Sequence, residues 1–304
     1  MLRSSRHPGR SALAATVILV TLMALVVRSR RLPVLSPSAE HRWVGAYHLH
    51  SSDSHDSHVS AEAYAEAARA EDLDFIILTD HNNQKAQALT LQGVTVLSFA
   101  ELSTGFGHVV QVGANYTVEP AQRGGAGVLE AIRAASGVPM VAHPSDTKRP
   151  WTGPVASIGG LEVANLSASA RRAARPWFLG LFPELLAWPL RDDIALAQLY
   201  DRDEAALALW DSQPDPTVVG LCGVDAHGWI APALNLRAWH IVLDVPSGSQ
   251  APRADVVVGA LRQGRFHCVA GLAGRDPLFR FGARRGGDWV ASAGDTMARD
   301  AVEQ

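Results

Sequence analysis

The sequence predicts an α/β protein: a parallel sheet or barrel of alternating strands and helices, preceded by an apolar N-terminal helix. Three observations predict it. Short apolar runs recur between segments of helical periodicity, clusters of His, Asp and Glu close many of those runs at their C-terminal ends, and an uncharged stretch of 17 residues lies between Arg10 and Arg28. The first pattern is that of β-α units joining one sheet, and the second is where the βα loops of an α/β barrel assemble an active site.

Residues 1–42 come first. The run SALAATVILVTLMALVV has arginines before it and Arg28, Arg30 and Arg31 directly after it, and Pro37-Ser38-Ala39 makes a poor cleavage site. A spanning helix needs roughly 17–25 residues and a secretory core ~7–15, so the expectation is an uncleaved single-pass transmembrane helix at residues 11–27 with a linker through 42. The positive-inside count does not orient the span, because arginines flank both ends. The expected location is a membrane, with the following domain outside the cytoplasm.

Strand candidates follow at residues 43–50, 74–81, 94–101, 108–113, 138–143, 161–165, 218–227 and 240–245, with helical patterns at 60–71, 127–135, 192–210 and 254–263. Residues 166–215 are too long for an ordinary loop. They hold Trp177, Phe178, Phe182, Trp188 and Trp210, which fits either a helical excursion capping one barrel end or extra core. Residues 275–304 begin like a new β-element (PLFRFGARRGGDWV) and run into a polar tail, as a truncated element would. The expected domain is therefore 43–274.

Seven of the 27 Lys and Arg and one of the 30 Asp and Glu lie in the first 42 residues, so residues 43–304 carry a formal charge of −9. That argues against a nucleic-acid partner, whose polyphosphate needs clustered basic groups. Cys222 and Cys268 sit in apolar runs and read as buried free thiols. Gly124-Gly125-Ala126-Gly127 lacks the Lys-Ser/Thr of a phosphate loop and reads as a turn before a helix.

The histidines are the informative feature. His48 and His50 are two apart at a strand end, where residues i and i+2 share a face, and Asp225 and His227 repeat that spacing. His81, Glu101 and His143 close other apolar runs, and His108 follows Glu101 by seven residues. One such histidine is ordinarily a core residue. Many gathered at one barrel end would be costly to desolvate together, and divalent cations are the usual compensation.

The ordered motifs HLHSSDSHDS, TDHNN, a lone Glu, GH, AHP and VDAHG resemble the polymerase and histidinol phosphatase (PHP) family, over roughly residues 43–274 and with closest likeness to its carbaryl-hydrolase-like branch. The resemblance implies a distorted (β/α)7 barrel binding two or three divalent cations, with zinc, manganese and iron all suited to such donors. It places metal ligands at His48, His50, Asp56, His81, Glu101, His108, His143, Asp225 and His227, with Glu101 as the bridging carboxylate. His55 is the alternative to Asp56, because many members of the family put their acid one residue earlier. Asp80 could orient a ligand imidazole or simply serve a turn.

The function so implied is a membrane-tethered metal-dependent hydrolase, a phosphoesterase first, using a metal-activated hydroxide on a small-molecule substrate. Lys148 and Arg149 are candidates to bind substrate phosphate or are an exposed basic pair. A carbamate or carboxyl-ester hydrolase is the alternative enzyme, and a non-catalytic metal-binding envelope protein the alternative of another class. Oligomeric state is not legible.

Overall fold

The computed structural model describes residues 8–32, 42–85, 88–122, 124–125, 127–174, 188–229, 231–245, 249, 251–275, 279, 281–285 and 288–295. The expected Trp177, Phe178 and Phe182 of the excursion lie outside them.

One sheet organises the chain. Its strands are β1 (Arg42–Leu49), β2 (Phe75–His81), β3 (Ala88–Leu91), β4 (Val94–Thr104), β5 (Gly107–Val112), β6 (Val138–Val141), β7 (Gly160–Asn165), β8 (Val219–Gly223), β9 (Trp239–Asp244) and β10 (His267–Ala270). They run in the order β10-β9-β1-β2-β4-β5-β6-β7-β8, with β3 beside β4. The two ends of this order nearly meet. Past the end of β8, Val224 and Asp225 donate backbone N–H groups to Tyr47 and His48 of β1 at 3.0 and 2.7 Å, and His50 returns one to Ala226 at 2.9 Å. The result is a nearly closed barrel.

The sheet is mixed, which corrects the all-parallel expectation. β1, β2 and β4 run parallel, as do β6, β7 and β8, but β5 is antiparallel to both β4 and β6, and β9 is antiparallel to β1. The turn between β4 and β5 is a hairpin closed by Gly105-Phe106-Gly107, with Gly107 at φ 120°. A reversed strand starts where its neighbour ends. His108, at the start of β5, therefore lies at the barrel end where Glu101 approaches the close of β4.

Burial on both faces explains the near-continuous apolar runs. Along β2, Phe75 and Ile77 join a cluster with Tyr47, Leu97, Phe99 and Met140, while Ile76 and Leu78 join Tyr64, Ala65 and Ala68 of the outer helix α2 (Ala61–Ala70). Ser60 caps α2 by accepting from the Ala63 N–H, as its place before a helical pattern requires. Helix α3 (Gly127–Ala134) covers β5 and β6 with Leu129 and Ile132. The excursion is helical where described, in α4 (Leu166–Ala173), α5 (Asp192–Ala197) and α6 (Glu204–Asp211). Beyond the short α7 (Pro232–Leu236), α8 (Ala254–Gln263) sends Val257 and Leu261 into the same cluster as Phe75 and Tyr47. Residues 282–292 form a separate antiparallel pair, β11 (Gly282–Arg285) with β12 (Asp288–Ser292).

Two expectations change here. Helix α1 (Pro8–Ser29) contains the apolar run, but among the described residues no helix is long and apolar enough to cross a membrane. The end of α1 and the residues after it meet the excursion instead: Val27 and Leu32, like Trp188, pack against the buried pair Ile194 and Ala195, and Arg191 donates to the Arg30 carbonyl at 3.1 Å. The transmembrane anchor expected at 11–27 is thus without support. The cysteines, expected as free thiols, are joined to each other, with Cα atoms 6.0 Å apart. Closure of the barrel brings β8, which carries Cys222, beside β10, which carries Cys268, although the two strands stand at opposite ends of the sheet order.

Candidate metal centre

All nine expected ligands converge on one end of the barrel. His48, His50 and Glu101 are fully buried, Asp225 and His143 nearly so, and Glu101 is the hub. Its Oε1 lies 3.4 Å from His48 Nε2, 3.0 Å from His108 Nδ1 and 3.1 Å from His143 Nε2; its Oε2 lies 3.4 Å from His50 Nε2 and 3.1 Å from His81 Nδ1. Asp225 Oδ1 stands 3.5 Å from His48 Nε2 and 3.4 Å from His50 Nε2. A third focus joins Asp56 Oδ2 to His81 Nε2 at 3.2 Å and to His227 Nε2 at 3.3 Å. His55, the alternative, has its side chain 75% exposed and stands at the edge of the cluster, its ring centroid 5.1 Å from that of His81.

These donors fit divalent cations. Two ligand atoms held ~2.1 Å from one tetrahedral ion are about 3.4 Å apart, and the Nε2 atoms of His48 and His50 each stand 3.4–3.5 Å from an oxygen of Glu101 and from Asp225 Oδ1. Among the described residues His48 Nε2, His50 Nε2, His81 Nδ1, His143 Nδ1 and Glu101 Oε2 are buried without a hydrogen-bond partner. So many orphaned polar atoms in one place would be expensive unless something charged sits between them.

The backbone that aims them is strained. His48 has φ 69°, Asp225 φ 57° and His143 φ 29°, in the left-handed region that non-glycine residues seldom adopt. At His48 the pairing of β1 with β2 shifts register between Tyr47 and Leu49. His48 and His50 do converge, with ring centroids 5.2 Å apart, but a bulge rather than simple alternation delivers them. Asp225 and His227 likewise lie beyond β8 rather than on one strand face.

Electrostatics follow from crowding. Burial alone would lower the pKa of His48, yet the carboxylates of Glu162, Glu101 and Asp225 outweigh it and raise that pKa well above the usual imidazole value. For His50 burial wins, bringing it down to about 4. Burial works against ionised Glu101 too, but His48 and the hydrogen bonds from His108 and His143 hold it well below the ordinary carboxylate range.

Four residues that sequence reasoning missed support the cluster. Glu162 on β7 accepts from His48 Nδ1 at 2.6 Å, from the His143 N–H at 2.7 Å and from Asn165 Nδ2 at 2.7 Å. With Nδ1 donating to Glu162, the Nε2 lone pair faces the cluster. Gly223 makes room, since a Cβ there would collide with the Glu162 carboxylate. Asn165 also accepts from the Ala168 N–H and so caps α4. That helix carries Arg171, whose Nη2 lies 2.8 Å from Asp146 and 3.1 Å from Asp225. A charge inside the apolar run LEVAN was a usable signal for Glu162; nothing local marks Arg171. Of the roles open to Asp80, the contacts fit the turn: it accepts from the Ser51 N–H at 2.6 Å and the Ser51 hydroxyl at 2.8 Å, orienting the loop.

Above the donors is a cavity of about 220 Å³ whose walls include Lys148, Arg149 and Arg171 as well as His81, Glu101 and His108. Lys148 and Arg149 are exposed at its wall, Arg171 is paired with Asp146 and Asp225, and the carboxylates of Asp56, Asp146 and Asp225 share the lining.

No family model matches the chain, and no curated protein matches it. Among solved structures, a two-domain protein from Bacteroides vulgatus containing a predicted PHP-like metal-dependent phosphoesterase aligns at TM-score 0.50 and 13% identity, covering 80% of this chain and 69% of that one. PsfC from Pseudomonas syringae aligns at TM-score 0.47 and 17% identity, covering 72% and 88%. Endonuclease Q, in complex with a 27-mer duplex carrying an abasic lesion, aligns at TM-score 0.44 and 13% identity, covering 73% and 57%. The fold is thus a mixed α/β, nearly closed barrel of the PHP-like kind. The carbaryl-hydrolase branch finds no support among these matches.

Proposed function

We propose that the chain is a metal-dependent phosphoesterase acting on small phosphate esters. The observation that carries this reading is the stacking of three basic side chains, Lys148, Arg149 and Arg171, over a buried cluster of nine metal-ligand candidates. The donor groups close enough to hold an ion are His48 with His50 and Glu101, His48 with His143 and Asp225, His81 with Glu101 and His108, and His50 with Asp56, His81 and His227, and two or three cations would be shared among them. Zinc, manganese or iron bound there would lower the pKa of a water and draw charge from the phosphoryl oxygens.

The chain's own groups do the rest. Arg171 is held in place by Asp146, Asp225 and Ser167, and with Lys148 and Arg149 it would add positive charge at the cavity wall to offset the negative charge of a phosphate. Glu162 keeps His48 in the tautomer that offers Nε2 inward. In the reaction the water oxygen bonds to phosphorus, the P–O bond to the alcohol breaks, and the alcohol oxygen takes up the proton the water gave up. Ester and water become alcohol and phosphate.

The test is reconstitution of the full chain with zinc or manganese and assay on p-nitrophenyl phosphate, its bis-ester, a carbamate ester and an abasic duplex. Chelator-sensitive turnover of the monoester is expected. Turnover confined to the carbamate would replace the reading by the other enzyme class, and cleavage of the duplex alone would make the substrate a nucleic acid despite the −9 charge of residues 43–304.

A further inference from the structure

A second cavity opens beside the first. It measures about 440 Å³ and shares Asp56, Lys148, Arg171, Asp225 and His227 with the space over the donors. Past that shared wall its character changes. Leu166 and Ala170 of α4, Leu199 after α5, Val224, Ala226 and Trp229 make the remainder largely apolar, with Ser167 of α4 and Asn235 of α7 as the polar exceptions. The space over the donors falls below the ~300–1,000 Å³ of ordinary ligand pockets, whereas this one lies within that range. The reacting group and the rest of a substrate therefore have separate places.

We propose that this second cavity is the leaving-group subsite, and that the substrates are phosphate monoesters of apolar alcohols carrying a ring or a chain of similar bulk. The inference rests on the phosphoesterase reading for the word phosphate and on the cavity alone for the word apolar. A phosphate held by Arg171 and Lys148 has its oxygens toward Glu101 and the histidines; its ester oxygen then points across the shared wall, and the attached carbon group enters the space beyond. A small polar alcohol would leave the faces of Leu199, Leu166 and Ala170 wet. An apolar one covers them, and removing that surface from water favours the bulky ester. The excursion thereby has a role: α4 supplies both Arg171 for the phosphate and Ala170 for the alcohol, one residue apart and on adjoining faces of the helix.

The experiment compares ethyl phosphate with 2-cyclohexylethyl phosphate, whose alcohols leave with similar ease, on the metal-loaded full chain and on Ala170→Trp, which fills the cavity. The expected result is a kcat/KM at least tenfold higher for the cyclohexylethyl ester, expressed mainly in KM, with the ratio falling toward one in Ala170→Trp. Equal kcat/KM for the two esters, or a preference that survives the substitution, would overturn the subsite. Titration of 2-cyclohexylethanol by calorimetry gives a readout independent of turnover: saturable binding weakened at least tenfold in the variant supports the subsite, and absent or unaffected binding counts against it. If neither ester is hydrolysed, the phosphoesterase reading fails by itself and the alcohol titration still decides the cavity. Should Ala170→Trp not fold by thermal melt, Ala170→Leu takes its place with the same outcomes.

Discussion

Asp56 and His55 are neighbours with opposite fates. Asp56 faces His81 and His227, and His55 faces solvent, so Asp56→Asn is expected to lower the metal content of the reloaded protein while His55→Ala leaves it at the wild-type value. Equal loss in both, read by elemental analysis, would remove Asp56 from the site. Glu162 is a positioning residue: it touches His48 and the His143 backbone but not the space over the donors. Glu162→Gln should weaken metal affinity about 10–100-fold, the usual cost of losing a carboxylate behind a ligand histidine. Gly223→Ala should do the same by displacing that carboxylate, and metal titrations of the two variants check it. Unchanged affinity in both would make Glu162 a packing residue.

At the scale of elements, the sequence revealed most strands and helices because alternation and apolar runs are local signals. The reversal of β5 was not legible, since a hairpin and a β-α connection begin with the same strand pattern. Nor was the bulge at His48: the spacing of His48 and His50 pointed to the right pair through a simpler geometry than the one found. Elements also set the pH response. His240 on β9 is buried between the Leu236 and Arg275 carbonyls, and burial lowers its pKa from the ordinary imidazole value. Its folded pKa lies below its unfolded one, so the unfolded chain binds the extra proton first. The stability it contributes is present above the unfolded pKa of roughly 6.5 and is lost as pH falls through that value toward the lowered one. Between pH 7.5 and 5 the wild type is expected to lose more melting temperature than His240→Gln; parallel losses would show that His240 does not titrate with folding.

Across the whole molecule, closure is what local patterns could not show. Cys222 and Cys268 are 46 residues apart in sequence and sit on strands at opposite ends of the sheet order, so only the closed barrel brings them together. Cys222→Ser should cost about 2–4 kcal/mol of stability, the range for closing a loop of this size, measured by denaturant unfolding under non-reducing conditions. An unchanged midpoint would mean that the seam is held by its hydrogen bonds alone. Arg171 was likewise invisible for a reason of distance: it acts on Asp225 through a contact that only the assembled barrel creates, and Glu162 showed only as a charge inside an apolar run, its partner His48 lying far away in the chain. Most ligand candidates were legible because they close apolar runs whose ends meet at one end of such a barrel, whereas His108, at the start of a reversed strand, and Asp56, in a loop, were legible through the ordered motifs alone. Their shared purpose is the central claim, and metal content tests it most directly. The full chain, purified without chelator and reloaded with zinc or manganese, is expected to hold at least two ions per chain and to lose at least one in Glu101→Ala, whose two oxygens face separate sets of histidines. Fewer than one tightly held ion per chain after reloading would contradict the account.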